Sequence, residues 1–197
     1  MIPISDPVLT VILCFLAYLA GSVLFALPVS RFWQLPDPRA QGSGNPGATN
    51  VYRTGGWAPA LLTLALDAVK GGLPVWLASE SGLSILAQAM VALCAVTGHM
   101  IPVFYRFKGG KGVATALGAG LALAPLTTLL LSVIWGLVMW RWRISALASI
   151  VAALGGPLLS AILEPDTLPL FGLLALLIIV RHRNNLIRMA QGREPGF

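Results

Sequence analysis

The sequence predicts an all-α polytopic membrane protein with about seven transmembrane helices, an N-terminus outside the cell and a C-terminus in the cytoplasm. Hydrophobic residues make up 57% of the 197 residues and charged residues only 10%, whereas a soluble domain carries about 25% charged residues. Apolar runs of about 20 residues, the length that crosses a bilayer as a helix, recur along the chain. We therefore expect one integral-membrane domain over residues 1–197.

The individual spans follow from these runs. In chain order they are residues 8–29, 57–78, 85–104, two helices within 113–140, 145–163 and 168–180. The first run has no basic residues before it and is too long for a cleaved signal peptide, so it is predicted to remain as a span. Residues 113–140 would form a helix of about 42 Å, well beyond a hydrocarbon core of about 30 Å. Pro125 lies near the middle, which favours two short helices that turn there.

The basic residues set the orientation. This topology places 12 of the 13 Lys and Arg residues in four cytoplasmic segments, as the positive-inside rule requires. The thirteenth, Lys70, lies within the second span. The net charge of +6 is thereby explained by topology, and no nucleic acid partner is expected.

The first polar segment, residues 42–50 followed by Arg53, contains three glycines within six residues. Such glycines adopt positive φ and let backbone amides approach an anion closely. The guanidinium of Arg53 can grip a phosphate through two hydrogen bonds. The candidate binding residues here are Gly42, Ser43, Asn45, Thr49, Asn50 and Arg53. Taken alone, the segment is more typical of a flexible loop between two helices.

The second polar segment, residues 108–112, resembles a phosphate cradle at the start of a helix. Its candidates are Lys108, Gly109, Gly110 and Lys111. It is not a Walker A loop, because a glycine and not Ser or Thr follows Lys111. An ordinary cytoplasmic loop would explain the lysines but not the glycines.

The third polar segment opens the C-terminal tail. His182 and Asn185 are three residues apart and share one face if the last helix continues, with Arg188 beside them. His182 could act as a general base or donate a hydrogen bond to a phosphate. A lone histidine of this kind is, however, more often an interfacial hydrogen-bonding residue. Ser145 and Ser149, after another basic cluster, suit either helix capping or phosphate binding.

Asp67 and Lys70 form a charged pair inside the second span. Charges within a membrane are costly and by default functional, but the pair is interpreted more readily as a structural clamp than as direct catalytic groups. His99, near the second polar segment, is also expected to be structural.

All three polar segments lie at the same membrane face, so they can form one interfacial site. Many groups that can donate hydrogen bonds to phosphate, together with one histidine, suit phosphate-bearing substrates, one of them dissolved in lipid. They also suit a mechanism based on positioning and charge neutralisation. A transporter of a phosphorylated metabolite is the main alternative. It would need access from both faces, whereas the outer loops are short, acidic and without motifs. A lipid-phosphate phosphatase is a second alternative, but no carboxylate–metal or paired-histidine site is visible.

These segments resemble the three motifs of the bacterial acyl-phosphate-dependent glycerol-3-phosphate acyltransferases, the PlsY family. The matching stretches are residues 42–50 with Arg53, residues 98–115, and His182, Asn185 and Arg188. The resemblance covers the whole chain. It implies acyl transfer from acyl phosphate to the sn-1 hydroxyl of glycerol 3-phosphate in the bacterial inner membrane, with the active site at the cytoplasmic face. The products would be 1-acyl-glycerol 3-phosphate and phosphate, in the first step of phospholipid synthesis, with no cofactor or metal.

The resemblance also implies residue roles. Ser43, Arg53, Lys111, His182 and Asn185 would act in catalysis and substrate binding. Thr49, Gly109, Gly110 and one of Ser145 or Ser149 would cradle phosphate. The proton of the glycerol hydroxyl would pass either to His182 or to a substrate phosphate, and the sequence leaves both open.

Overall fold

The computed structural model describes residues 6–196 and shows a bundle of α-helices. The helices are α1 (Pro7–Gly21), α2 (Ala26–Phe32), α3 (Ala48–Gly55), α4 (Trp57–Glu80), α5 (Ile85–Met100), α6 (Val113–Leu123), α7 (Pro125–Trp142), α8 (Ser145–Leu163), α9 (Leu168–Arg181) and α10 (Arg183–Ala190). Short 3₁₀ turns at Val103–Tyr105 and Pro165–Thr167 complete the described structure. The predicted all-helical class is confirmed.

Several helices are long and apolar enough to cross a membrane. Within residues 6–196 there are five such spans: α1 with α2, α4, α5 with its 3₁₀ turn, α7 and α8. A sixth is possible if α9 and α10, which are bent by 57° relative to each other, count as one. The remaining apolar helix, α6, has only 11 residues.

The first span is interrupted after Gly21. α1 ends at Gly21 and α2 begins at Ala26. The amides of Ser22 and Val23 still bond to carbonyl oxygens of α1, whereas the Val23 carbonyl takes a partner from another helix. Because lipid offers no hydrogen bonds, such groups must be satisfied by the protein itself. The Ser22 hydroxyl donates to the Tyr18 carbonyl and accepts the amide of Val103.

The chain reverses direction between α6 and α7, at the predicted proline. α6 ends at Leu123 and α7 starts with Pro125. A Cβ added to Gly120 would overlap the hydroxyl of Thr128. In a continuous helix these two residues would be about 12 Å apart at 1.5 Å per residue, so the contact requires a sharp turn.

Small residues allow the helices to pack closely around α5, the most buried span. α4 lies against α6 so tightly that a Cβ at Gly118 would overlap the carbonyl oxygen of Ala68. α1 lies against α5 in the same way, with Gly98 against the carbonyl oxygen of Tyr18. Within a membrane, where water does not drive helices together, such close backbone approach supplies the packing energy.

The last helix does not continue straight, although the predicted shared face of His182 and Asn185 requires a straight helix. It bends at His182, whose amide still bonds to the carbonyl oxygens of Ile178 and Ile179. The bend turns α10 away from the direction of α9 while both residues still line the same cavity.

Gly118→Ala tests the close packing of α4 on α6. We expect it to destabilise the protein by about 1–3 kcal/mol, because the new methyl group must push the two backbones apart. Thermal unfolding in detergent measures the loss. The matched control is Gly136→Ala, also within a helix but with open space around it. Equal melting temperatures for both variants would contradict the packing described here.

Candidate active site

A cavity of about 420 Å³ runs between α4 and α6 on one side and α7, α8 and α9 on the other. Its polar end is lined by side chains from all three predicted motifs. The predicted residues that line it are Ser43, Asn45, Thr49, Asn50, Arg53, Lys111, Ser145, Ser149, His182 and Asn185. The rest of the lining is mainly hydrocarbon, apart from Asp67, His99, Thr128 and Ser132. The part lined by the motif residues is called the polar end below.

Three helices begin at the polar end of this cavity. Thr49 in the first turn of α3, Val113 in α6 and Ser145 in α8 all line it. The first N–H groups of a helix have no partner within that helix, and the helix dipole adds partial positive charge there. The convergence of three such ends, together with Arg53 and Lys111, makes this part of the cavity suited to anions.

Asn50 organises the first polar segment. Its Oδ1 accepts the amide of Ser43 at 2.9 Å, and its Nδ2 donates to the carbonyl oxygens of Pro38 and Gln41 at 2.7 and 2.9 Å. Gly42, at φ +57°, lies directly against this side chain, where a Cβ would overlap Oδ1. Gly42 itself does not line the cavity. The buried Asn50 amide thus fixes the loop that presents Ser43.

Arg53 reaches the C-terminal tail. Its Nη2 donates to the carbonyl oxygens of Pro195 and Gly196, at 3.2 Å each. Its Nε is buried and has no hydrogen-bond partner within residues 6–196. A buried donor left in this way is costly unless something binds it, which is what a site for an anionic substrate provides.

The two candidate serines differ in their surroundings. The Ser145 hydroxyl lies 3.1 Å from that of Thr49 and so links α8 to α3. The Ser149 hydroxyl donates to the carbonyl oxygen of Ser145 and accepts the indole N–H of Trp135 at 3.1 Å. Neither serine caps α8. Ser145 is therefore the better placed of the two for a ligand at the polar end.

Lys111 is the part of the second motif that enters the cavity. Burial, opposed by Glu194 and aided by three nearby arginines, lowers its pKa to about 8; the arginines are Arg188, Arg53 and Arg181. Lys108 is exposed, and neither it nor Gly109 or Gly110 lines the cavity.

The glycine loop, residues 108–112, is instead held in place by its neighbours and so positions Lys111. The amide of Gly110 donates to the carbonyl oxygen of His99 at 3.0 Å. The guanidinium of Arg181 donates to the carbonyl oxygens of Gly109 and Gly110, at 2.8 Å from Nη2 to each and at 3.0 Å from Nε to Gly110. A Cβ at Gly110 would overlap the ring of His99.

His182 and Asn185 form the other wall of the polar end. Both are buried. His182 Nδ1 lies 2.8 Å from the carbonyl oxygen of Ile178. A carbonyl oxygen only accepts, so Nδ1 carries a proton, and in the neutral ring Nε2 is left as an acceptor.

Glu194 is a site residue that the sequence analysis did not identify. Its Oε1 accepts Asn185 Nδ2 at 2.5 Å and its Oε2 accepts Arg188 Nε at 2.7 Å, with only 6% of the side chain exposed. It also lines the cavity, whereas Arg188 does not. Arg188 thus reaches the site through Glu194. The one available signal was an acidic residue in a tail that is otherwise basic.

Asp67 and Lys70 replace the backbone partners missing at the break in the first span. Lys70 Nζ lies 2.7 Å from Asp67 Oδ1 and donates to the carbonyl oxygen of Val23 at 2.5 Å, while Asp67 accepts the amide of Phe25. Lys70 Nζ also lies 2.8 Å from His99 Nδ1. The pair thereby connects the first span to His99 and to the loop that carries Lys111.

Fold and cavity together define a polytopic membrane protein in which a cationic polar site opens into a hydrocarbon-lined pocket. The chain belongs to the glycerol-3-phosphate acyltransferase family, whose family model matches residues 11–192. This confirms the resemblance drawn from the three motifs, and it identifies an acyltransferase of phospholipid synthesis.

Similar proteins cover nearly the whole chain. The glycerol-3-phosphate acyltransferase of Hahella chejuensis (strain KCTC 2396) is 53% identical over 182 residues, which are 92% of this chain and 94% of that one. That of Idiomarina loihiensis is 44% identical over 190 residues, 96% of each chain.

Two crystal structures of PlsY, an integral membrane glycerol 3-phosphate acyltransferase, share the fold. Its glycerol 3-phosphate form superposes with a TM-score of 0.89 and its lysophosphatidic acid form with 0.86. Both are 38% identical to this chain and cover 95% of each chain.

Asp67→Asn tests the structural role of the buried pair. Breaking a buried ion pair from one side costs about 3–5 kcal/mol, so we expect a large fall in folded yield and melting temperature. Turnover per folded molecule should stay within a few-fold of wild type. The exposed Asp166→Asn is the control. Normal yield combined with lost turnover would instead make Asp67 a catalytic residue.

Proposed function

We propose that this protein transfers a fatty acyl group from acyl phosphate to the sn-1 hydroxyl of glycerol 3-phosphate. The products are 1-acyl-glycerol 3-phosphate and inorganic phosphate. One observation carries the proposal: cations and helix N-termini converge at one end of an apolar cavity. A donor with a hydrocarbon tail and a phosphate head has the same division between its two ends.

We further propose a seven-span topology within one domain over residues 1–197, in the bacterial inner membrane. α6 is counted as a short span, which neighbouring helices and local thinning of the bilayer tolerate. The N-terminus is outside and the C-terminus and active site are cytoplasmic, since 12 of 13 basic residues then lie on the cytoplasmic side.

The phosphates of the two substrates would bind among the cations and the amides of the helix ends. Arg53 offers its buried Nε, which has no hydrogen-bond partner among residues 6–196, and Lys111 offers an ammonium at the start of α6. Thr49 and Ser145 offer adjacent hydroxyls. Asn45 and Ser149 complete the proposed binding set within the cavity. The other four predicted residues would act from outside it: Lys108 by its charge, Gly109 and Gly110 by positioning Lys111, and Arg188 through Glu194. Gly42 and Asn50 hold the loop in shape.

In the proposed reaction the glycerol hydroxyl attacks the carbonyl carbon of the mixed anhydride. The new ester C–O bond forms, the bond from the carbonyl carbon to the phosphate oxygen breaks, and phosphate leaves with the bonding electrons. Donors such as Ser43 and Asn185 would stabilise the charge on the carbonyl oxygen.

The hydroxyl proton has two possible acceptors. His182 is supported by the Nδ1 contact with a carbonyl oxygen, which leaves Nε2 as an acceptor. A substrate phosphate is the other, with His182 then positioning the substrate. In either case most of the rate enhancement comes from holding the glycerol hydroxyl against the anhydride, because the anhydride needs no further activation.

Comparing donors tests the proposed reaction directly. Purified protein in lipid receives labelled glycerol 3-phosphate with either palmitoyl phosphate or palmitoyl-CoA. We expect labelled 1-palmitoyl-glycerol 3-phosphate with palmitoyl phosphate and none with palmitoyl-CoA. An Arg53→Ala variant, which lacks the guanidinium, is the inactive control. Product from palmitoyl-CoA alone would contradict the proposed donor, and label at the sn-2 position would contradict the proposed acceptor hydroxyl.

The pH dependence tests Lys111. Its ammonium is charged below about pH 8 and neutral above, so phosphate binding is present below that pH and lost above it. We expect kcat/KM for glycerol 3-phosphate, which reports groups of the free enzyme, to fall up to about tenfold per pH unit above about 8. Lys111→Arg should remove this limb, because arginine stays charged. Its persistence in that variant would assign the limb to another group.

A further inference from the structure

A second cavity, of about 590 Å³, lies outside the active site at the end of α2. It is called the α2 groove, and its polar lining residues are Ser30, Arg31, Gln34, Asp37, Arg39 and Tyr105. Within residues 6–196 the two cavities share no lining residue. We propose that the α2 groove binds the phosphate group of an anionic ligand at the membrane surface, separately from the substrates of acyl transfer.

The end of α2 gives the groove its shape. The amide of Gln34 donates to the carbonyl oxygen of Arg31 at 3.1 Å, and the amide of Leu35 donates to that of Ser30 at 2.9 Å. Gln34 itself has a φ of +55°. A left-handed residue with this pair of hydrogen bonds is the Schellman motif, which ends a helix and turns the chain. Residues 35–39 thereby form a second wall of the groove beside α2.

Two guanidinium groups lie near one carboxylate in this groove. Arg39 donates to Asp37 at 3.0 Å from Nε and at 2.6 Å from Nη2, so its Nη1 remains for a second anion. These hydrogen bonds lower the pKa of the Asp37 carboxyl, and the charge of Arg31 adds to the shift. Within residues 6–196 the Arg31 side chain takes part in no hydrogen bond and no close ion pair. The groove therefore has a net positive charge and one guanidinium free to bind a phosphate.

The hydroxyl of Ser30 is a further unused donor in the groove. Ser30 is buried, with 2% exposed, and its Oγ has no hydrogen-bond partner among residues 6–196. A buried polar group without a partner is costly, and a ligand that accepts its hydrogen bond removes that cost. A hydroxyl beside two guanidinium groups is a donor set that suits phosphate oxygens.

The groove lies where the first span leaves the membrane. That span ends at Phe32, which is 78% exposed, and the adjacent Trp33 is 37% exposed. Exposed aromatic residues at the end of a span are typical of the level of the lipid headgroups. Phosphate esters of lipids lie at this level, and soluble phosphate also reaches it from the water.

One segment separates the groove from the active site. Pro38 lines the groove, and its carbonyl oxygen accepts Asn50 Nδ2 at 2.7 Å. Asn50 also accepts the amide of Ser43. A ligand bound between α2 and residues 35–39 would therefore stabilise the segment to which Asn50 anchors the loop of the active site.

Melting temperatures of the full chain in neutral detergent test the proposal. The additions are phosphatidylcholine, phosphatidylglycerol or inorganic phosphate, and each rise is measured against the same variant without addition. At ten times its dissociation constant, phosphatidylglycerol should raise the melting temperature of wild type by about 3–6 °C more than phosphatidylcholine does. Arg31→Gln should weaken binding about fivefold and so roughly halve this rise. Ser30→Ala, which breaks no hydrogen bond within residues 6–196, should also reduce it.

Arg141→Gln is the matched control. It removes the same charge from an exposed position at the end of α7, so a general attraction of anionic lipid to basic residues would be weakened equally. The rise should therefore be unchanged in this variant.

The results distinguish the source of the phosphate. A rise with phosphatidylglycerol that Arg31→Gln halves and Arg141→Gln keeps supports a lipid headgroup as the ligand. If inorganic phosphate gives the rise that Arg31→Gln reduces, the ligand is a soluble phosphate, because phosphate bound in the active site affects both proteins alike. Equal rises in wild type and Arg31→Gln with both ligands, or equal losses in Arg31→Gln and Arg141→Gln, overturn the proposal. No acyl donor is present, so these results do not depend on the proposed reaction.

Discussion

The ammonium group of Lys70 is the contact on which the arrangement of the site depends. It has three hydrogens, and it lies within hydrogen-bond distance of a carboxylate oxygen of Asp67, the free carbonyl of Val23 and Nδ1 of His99. Each of these groups would be expensive to leave unpaired in a bilayer. His99 in turn bonds to the loop that presents Lys111. The break in the first span and the second motif are therefore held in fixed relation by one buried cation.

This arrangement explains how a membrane protein can keep a strongly polar site beside a hydrocarbon cavity. The clamps are placed on backbone groups: Arg181 holds the glycine loop by its carbonyl oxygens, and Asn50 holds the first loop by its amide and carbonyl groups. The cations that face the cavity are thereby held in place before any ligand arrives. Such preorganisation is what electrostatic catalysis needs, because the protein does not have to reorganise during the reaction.

The sequence predicted the features that depend on local pattern. Apolar runs indicated the spans, and Pro125 marked the turn between α6 and α7, where it takes the first position of α7. Pro74 and Pro157, by contrast, lie inside α4 and α8 without ending them. The sequence did not predict the 57° bend at His182, since no proline or glycine marks it. The clamping role of Asn50 also could not be read from a loop of similar polar residues. Glu194 was missed because its partners are contributed by the fold of the tail back onto α10.

The distances along the chain between the site residues have a consequence for biosynthesis. The polar end takes Ser43 and Arg53 from the first loop and Glu194, with the backbone of Pro195 and Gly196, from the tail. A ribosome releases the first loop after the first span and the tail after all the others, so every later span is inserted between the two. No nascent intermediate can hold the complete set, so competence arises in one step after translation has passed the tail. Until then Arg53 and Lys111 lack the carboxylate that later lies near them, and the unfinished chain presents an uncompensated cationic face.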